Sequence, residues 1–128
     1  MIRPQMLSNH VFRKDFACKC GCGKIGKYAA NLKEVIKRIE KMYDLQGGLL
    51  PIIITSGYRC PKHNEEVGGV PNSYHCQDMA VDLYIPGWGP EKIANLAERA
   101  GFRGIGVYWG QGFVHCDIRK DKYRWYER

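Results

Sequence analysis

The chain has 128 residues, with 20 Lys and Arg against 13 Asp and Glu, a formal net charge of +7. That length supports one domain and excludes a TIM barrel, a dinucleotide-binding enzyme with its own substrate domain, and a long repeat array. A hydrophobic content of 45% excludes a mostly disordered chain, and the positive balance favours an anionic partner: nucleic acid, an acidic membrane surface or a cell-wall polymer.

In chain order, residues 1–30 read as an irregular Cys-, Gly- and Lys-rich segment, and residues 31–128 as the core of the same single domain. The opening MIRPQMLSNHVFRKDF has no apolar h-region ahead of a small-residue cleavage site. No apolar run approaches the roughly 20 residues of a membrane span. Asn31 is placed to cap a helix whose Leu32, Val35, Ile36, Ile39 and Met42 form one apolar stripe, stopped by Gly47-Gly48. Residues 49–55, Ile-rich and bounded by glycines, read as a buried strand.

Cys60-Pro61 opens a short helix through Glu66, and residues 70–78 read as a loop. Residues 79–85 alternate, with Met79, Val81, Leu83 and Ile85 opposite Ala80, Asp82 and Tyr84, the pattern of a half-buried strand. Pro90 suits a first helical position, and Ile93, Leu96, Ala97 and Ala100 supply that helix's inner face. Residues 105–108 and 113–118 read as two strands around Trp109-Gly110-Gln111-Gly112. This order predicts an α+β fold: an antiparallel β-sheet with helices packed on one face.

Six cysteines permit a disulfide framework, but a chain this long buries a core without staples, so reduced thiols are expected. Cys18, Cys20 and Cys22 have C-x-C spacing rather than the C-x-x-C of zinc ribbons, and no partner pair is evident. They read as a locally packed loop, with a second metal site the alternative; Cys116 reads as a buried small hydrophobe, and His10 and His63 as surface residues.

Polar residues that interrupt apolar strands are the chemical signal. Asp82 lies mid-strand, and in the last strand Phe113, His115 and Asp117 share the face opposite Val114, Cys116 and Ile118. His75 lies seven residues ahead of Asp82 in the preceding loop. Two imidazoles and one carboxylate are the donor types of catalytic zinc, with a fourth position left for water. On spacing alone, a surface His or a hydrogen-bonded His–Asp pair remains the alternative.

The wording around these residues narrows the choice. Ser73-Tyr74-His75-Cys76-Gln77-Asp78-Met79-Ala80-Val81-Asp82 resembles the S-x-H-x-x-G-x-A-x-D motif of the zinc D-alanyl-D-alanine carboxypeptidase family, which shares its fold with the Hedgehog signalling domain. Phe113-Val114-His115-Cys116-Asp117 is similar to that family's terminal H-x-D, and Ser56-Gly57-Tyr58-Arg59 to its S-G-Y-R segment. The resemblance implies a metallopeptidase acting on peptidoglycan peptides, with His75, Asp82 and His115 binding Zn2+. Arg59 would hold the substrate carbonyl or its oxyanion, and Ser73 would line the substrate pocket. Two departures stand out: Asp78 replaces a glycine, and no acidic residue occupies positions 109–114, where several branches place a general base. Asp117 is then the candidate general base, or a partner that orients a ligand histidine.

Tyr74, Trp88, Tyr108 and Trp109 are candidates for a groove wall. The expected protein is a monomer with a peptidoglycan peptide as substrate, no nucleic-acid partner and no membrane span. It would be cytoplasmic until released to the wall, as in phage lysis, or periplasmic if a leader has been removed. The scissile bond stays open between carboxypeptidase and endopeptidase action. Two rivals are a non-catalytic zinc-containing binding module of the same fold and a small nucleic-acid protein, which the residue spacing does not support.

Overall fold

The computed structural model describes residues 5–128, so the first four positions of the irregular N-terminal stretch lie outside the described residues. In order come α1 (Arg13–Phe16), α2 (Ala29–Leu45), β1 (Ile53–Ser56), α3 (Pro61–Glu66), a 3-10 turn (Tyr74–Gln77), β2 (Ala80–Tyr84), α4 (Pro90–Arg99), β3 (Gly104–Tyr108), β4 (Phe113–Asp117) and β5 (Tyr123–Glu127). Among the described residues no helix is long and apolar enough to cross a membrane.

The apolar stripe of α2 is buried as expected, through Val35, Ile39, Met42 and Tyr43. The helix starts earlier than the Asn31 cap predicts, because the Asn31 amide donates instead to the Gln77 carbonyl, 3.0 Å away. After Gly47-Gly48, both at positive φ, the chain returns past Tyr43, whose hydroxyl accepts the Ile52 N–H at 2.9 Å. That bond takes Ile52 out of strand pairing, so β1 begins at Ile53, opposite Tyr84.

The five strands form one sheet in the order β1-β2-β4-β3-β5. Three pairings are antiparallel, as expected, but β5 joins β3 in parallel. The sheet is therefore mixed, which corrects the purely antiparallel reading. The reason is topological: both edges of β4 are taken by β2 and β3, and the short connection 118–122 turns the chain back beyond β3, so β5 runs antiparallel to β4 and parallel to β3. Helix α4 packs on β3 and β4, α2 packs on α4, and α1 packs on β1. Strand β2 is also more enclosed than its alternation suggests, since Ala80 through Leu83 are all buried. It lies inside the sheet, and its polar face is covered by the cluster described below.

Phe16, at the end of α1, seats against a glycine window beside β1. Its carbonyl accepts the Tyr58 N–H at 2.9 Å, and a Cβ at Gly57 would lie 2.6 Å from the Phe16 Cα. Backbone cannot yield cheaply, so Gly57→Ala should destabilise the fold by about 1–3 kcal/mol, the usual cost of overpacking. A lower urea midpoint at unchanged m-value is the expected result.

Candidate functional site

Strand register builds most of the site. On one face of the sheet, Ser56 pairs with Asp82, Asp82 with His115, His115 with Gly106, and Gly106 with Trp125. These residues form a row across all five strands. The neighbouring row holds Ala80, Asp117, Gly104 and Tyr123.

His75 arrives from outside the sheet, on the 3-10 turn ahead of β2. Ser73 caps that turn, its Oγ accepting the His75 N–H at 3.2 Å. Asp78 ends it in the left-handed conformation, φ 58°, which aims the chain back into β2 and leaves His75 over Asp82. Asp tolerates that backbone better than most residues, so the glycine the motif lacks is replaced without losing the turn. The Asp78 carboxylate also accepts the Tyr28 N–H at 3.0 Å, tying the start of α2 to the turn.

Proton placement shows what the cluster is suited to hold. His75 Nδ1 faces the Gly57 carbonyl at 2.8 Å. A carbonyl only accepts, so this nitrogen carries the proton and Nε2 of the neutral ring is bare. Both His115 nitrogens face carboxylate oxygens, Nε2 the closer one, Asp117 Oδ2 at 2.8 Å; with the neutral ring's single proton on Nε2, Nδ1 is bare. Both bare nitrogens point at a single atom, Asp82 Oδ1, from 3.2 and 3.1 Å. Three lone pairs thus meet at one place, which only a cation or added protons can reconcile. Two borderline nitrogen donors, one carboxylate oxygen and outer nitrogens tied to acceptors fit a three-ligand zinc centre with a position to spare.

The electrostatics express the same conflict. Burial pushes the Asp82 carboxyl up, but in the metal-free cluster any proton shared from the His115 and His75 rings outweighs it and holds the group well below the usual carboxylate range. Burial pulls the His115 imidazole down, yet Asp117 and Asp82 together raise it above its ordinary value.

The other sequence candidates fall in distinct places. Arg59 lies beside these three side chains, donating to Asp82 Oδ2 at 3.2 Å and to Ser56 Oγ at 3.3 Å. Asp117 is fully enclosed and bound on two sides, by His115 and by a two-pronged contact from Arg119 at 2.9 and 2.7 Å. The Ser73 hydroxyl is engaged in its cap. Tyr108 stacks on Phe113, ring centroids 4.5 Å apart, two pairs along the β3–β4 ladder from His115. Trp88 packs against the core under Lys92, and Trp109 stands exposed on the β3–β4 hairpin. Cys116 is buried and all six cysteines are free. His10 is exposed but not unpartnered: it pairs with Glu40 at 2.6 Å and stacks on Tyr43.

Arg119 and Trp125 are members that sequence reading missed. Arg119 lies over the rings of Tyr74, Tyr123 and Trp125, at 5.0, 5.7 and 5.1 Å. Trp125 leans towards His115 across Gly106, with ring centroids 5.3 Å apart. A Cβ on Gly106 would strike the indole, and one on Gly104 would strike the Asp117 carboxylate. The two glycines of β3 are the space that these side chains occupy.

The sequence profile of the Peptidase M15 family matches residues 9–117. Among curated proteins, the chain is 38% identical over 88 residues to the peptidoglycan L,D-endopeptidase MepK of Escherichia coli K12, covering 61% of this chain and 47% of that protein. It is 31% identical over 87 residues to the probable peptidoglycan L,D-endopeptidase MepK of Haemophilus influenzae, with the same coverage, 61% and 47%. The chain therefore spans about half the length of the curated relatives it matches.

Asp78 yields a test of the turn. Burial pushes its carboxyl above the usual 3.8, and the N–H groups of Tyr28 and Gly26 offset this only in part. A raised folded pKa means that Asp78's contribution to stability is complete below that ordinary value and is lost as pH rises through the folded one. Asp78→Asn, which keeps a side chain tolerant of positive φ, should remove that loss and leave stability at pH 7 equal or higher. Asp78→Ala should cost about 1–2 kcal/mol from the backbone alone. Urea titrations of the three proteins across pH 3–8 (roughly the span over which carboxyls and imidazoles titrate) separate these outcomes.

Proposed function

The chain belongs to the Peptidase M15 family, and from that premise we propose that it is a zinc-dependent peptidase cleaving an amide bond in peptidoglycan stem peptides or cross-links. The observation that carries this reading is the convergence of His75 Nε2 and His115 Nδ1 on Asp82 Oδ1. Zinc held by these three would supply Lewis acidity for the peptide carbonyl and make water nucleophilic near neutral pH.

The protein's own groups divide the remaining work. Gly57 and Asp117 hold the two rings in the tautomers that turn bare nitrogens inward. Of the two roles open to Asp117, we assign orientation of His115: it is enclosed, its oxygens are taken by Arg119 and His115, and it lacks a free face for a water molecule. Arg59 is permanently charged and set beside Asp82, which suits it to stabilise an oxyanion more than a neutral carbonyl. Ser73 serves by fixing the His75 backbone. Tyr108 and Phe113 form an aromatic wall on the same face, available to an extended peptide.

The names of the two relatives favour endopeptidase over carboxypeptidase action for this chain. The +7 charge suits it to an anionic wall. One observation supports a second reading, a non-catalytic wall-binding module: positions 109–114 hold no acidic residue.

Incubation with purified peptidoglycan decides between the two. Release of amino groups that stops on chelation and returns with zinc is expected; binding without release under any metal would establish the module. His75→Ala should lose both this zinc and hydrolysis. Asp117→Asn should retain zinc at saturating metal while kcat falls by about 10–100-fold, the usual cost of losing a ligand's outer partner. A fall in kcat much beyond that range, with metal still bound, would instead make Asp117 the base.

A further inference from the structure

We propose that Cys18, Cys20, Cys22 and Cys60 bind a second zinc ion, structural rather than catalytic, that fastens the N-terminal loop to the corner of the fold bearing Arg59. One sulfur from each of the four lies within 4.8 Å of all the others. The Cys18 and Cys20 sulfurs are 3.4 Å apart, and each is 3.7 Å from that of Cys60. A disulfide needs about 2.05 Å. A tetrahedron with Zn–S bonds of about 2.3 Å has edges of about 3.8 Å. The spacing matches thiolates around one ion, and it is too tight for a multi-iron cluster in which each sulfur binds a different metal atom.

The local chain is shaped to gather them. Cys18, Cys20 and Cys22 alternate, and Gly21 and Gly23 at φ 93° and 70° bend the loop so that all three sulfurs reach one point. The Cys18 N–H donates to the Lys24 carbonyl at 2.8 Å and closes the loop. Cys60 comes from the N-cap of α3, a position where Ser, Thr, Asp or Asn is usual. Backbone N–H groups point at two of the sulfurs: Cys60 N–H at Cys18 Sγ, 3.3 Å, and His63 N–H at Cys60 Sγ, 3.4 Å. Such donors spread the charge of a metal-bound thiolate.

Four thiolates leave no open position, the mark of a structural site. The thiols bind as thiolates and their protons pass to solvent. The complex then carries two negative charges, and Lys19 and Lys24 lie within and beside the loop. Burial supplies little else to order this segment, because residues 19–24 are all exposed. Cys60 directly follows Arg59, whose backbone N–H donates to the His75 carbonyl at 3.2 Å. The second ion would thus brace one side of the candidate active site without touching it.

The test is metal stoichiometry with cobalt spectroscopy on the wild-type chain, purified reduced and never exposed to chelator. Two zinc ions per chain are expected, one remaining in His75→Ala and one in the Cys20→Ser/Cys22→Ser double variant. Cobalt-loaded wild type should show intense thiolate-to-cobalt charge-transfer absorption, retained in His75→Ala and lost in the double variant. A single zinc per wild-type chain with no charge-transfer band would overturn the proposal, as would a native mass showing disulfides among these four cysteines. The wild-type measurements need no cysteine variant to fold, and they stand whether or not the chain hydrolyses peptidoglycan.

Discussion

A single carboxylate oxygen, Asp82 Oδ1, faces the unprotonated nitrogens of two imidazoles whose other nitrogens are committed to acceptors. Buried lone pairs directed at one another are unfavourable unless something positive lies between them. The arrangement suits a cation, and the surrounding structure keeps these three atoms in place.

That support comes from several elements. Register between β2 and β4 sets Asp82 beside His115. The capped turn with its left-handed Asp78 carries His75 over the same point. Gly57 contributes twice: its carbonyl orients His75, and its missing side chain admits Phe16 from α1. On the opposite flank, Arg119 pairs with Asp117 and is itself covered by three aromatic rings, so the carboxylate bonded to His115 is paired and enclosed. Replacing water by such fixed partners is how a site holds ligand geometry before any metal or substrate arrives. The four-cysteine cluster extends the same logic outward, from the Arg59 corner to a loop with almost no buried surface of its own.

Much of this was legible in the linear sequence, because it depends on local periodicity and short spacing. The apolar stripe of α2, the inner face of α4 and the alternation of Val114 and Cys116 against His115 and Asp117 all identify buried faces without any tertiary knowledge. The seven-residue interval from His75 to Asp82 and the order of the three motifs single out, for the same reason, the side chains that meet at Asp82. The short ends of elements were less legible: Asn31 was spent on a distant carbonyl and Ile52 on the Tyr43 hydroxyl, and neither competition has a local signature.

Residue order carries the class of fold, the peptidase-type motifs and the identity of the residues that converge on Asp82. The rest arises only once the backbone folds. β5 pairs in parallel with β3 because the chain turns back after β4 and skips over β3, and that placement brings Trp125 to His115 and Tyr123 to Arg119. Cys60 completes a cluster with cysteines some forty positions earlier. Partners so far apart along the chain share no period and no spacing; only the folding of the backbone, which closes the distance between them, reveals that they belong together.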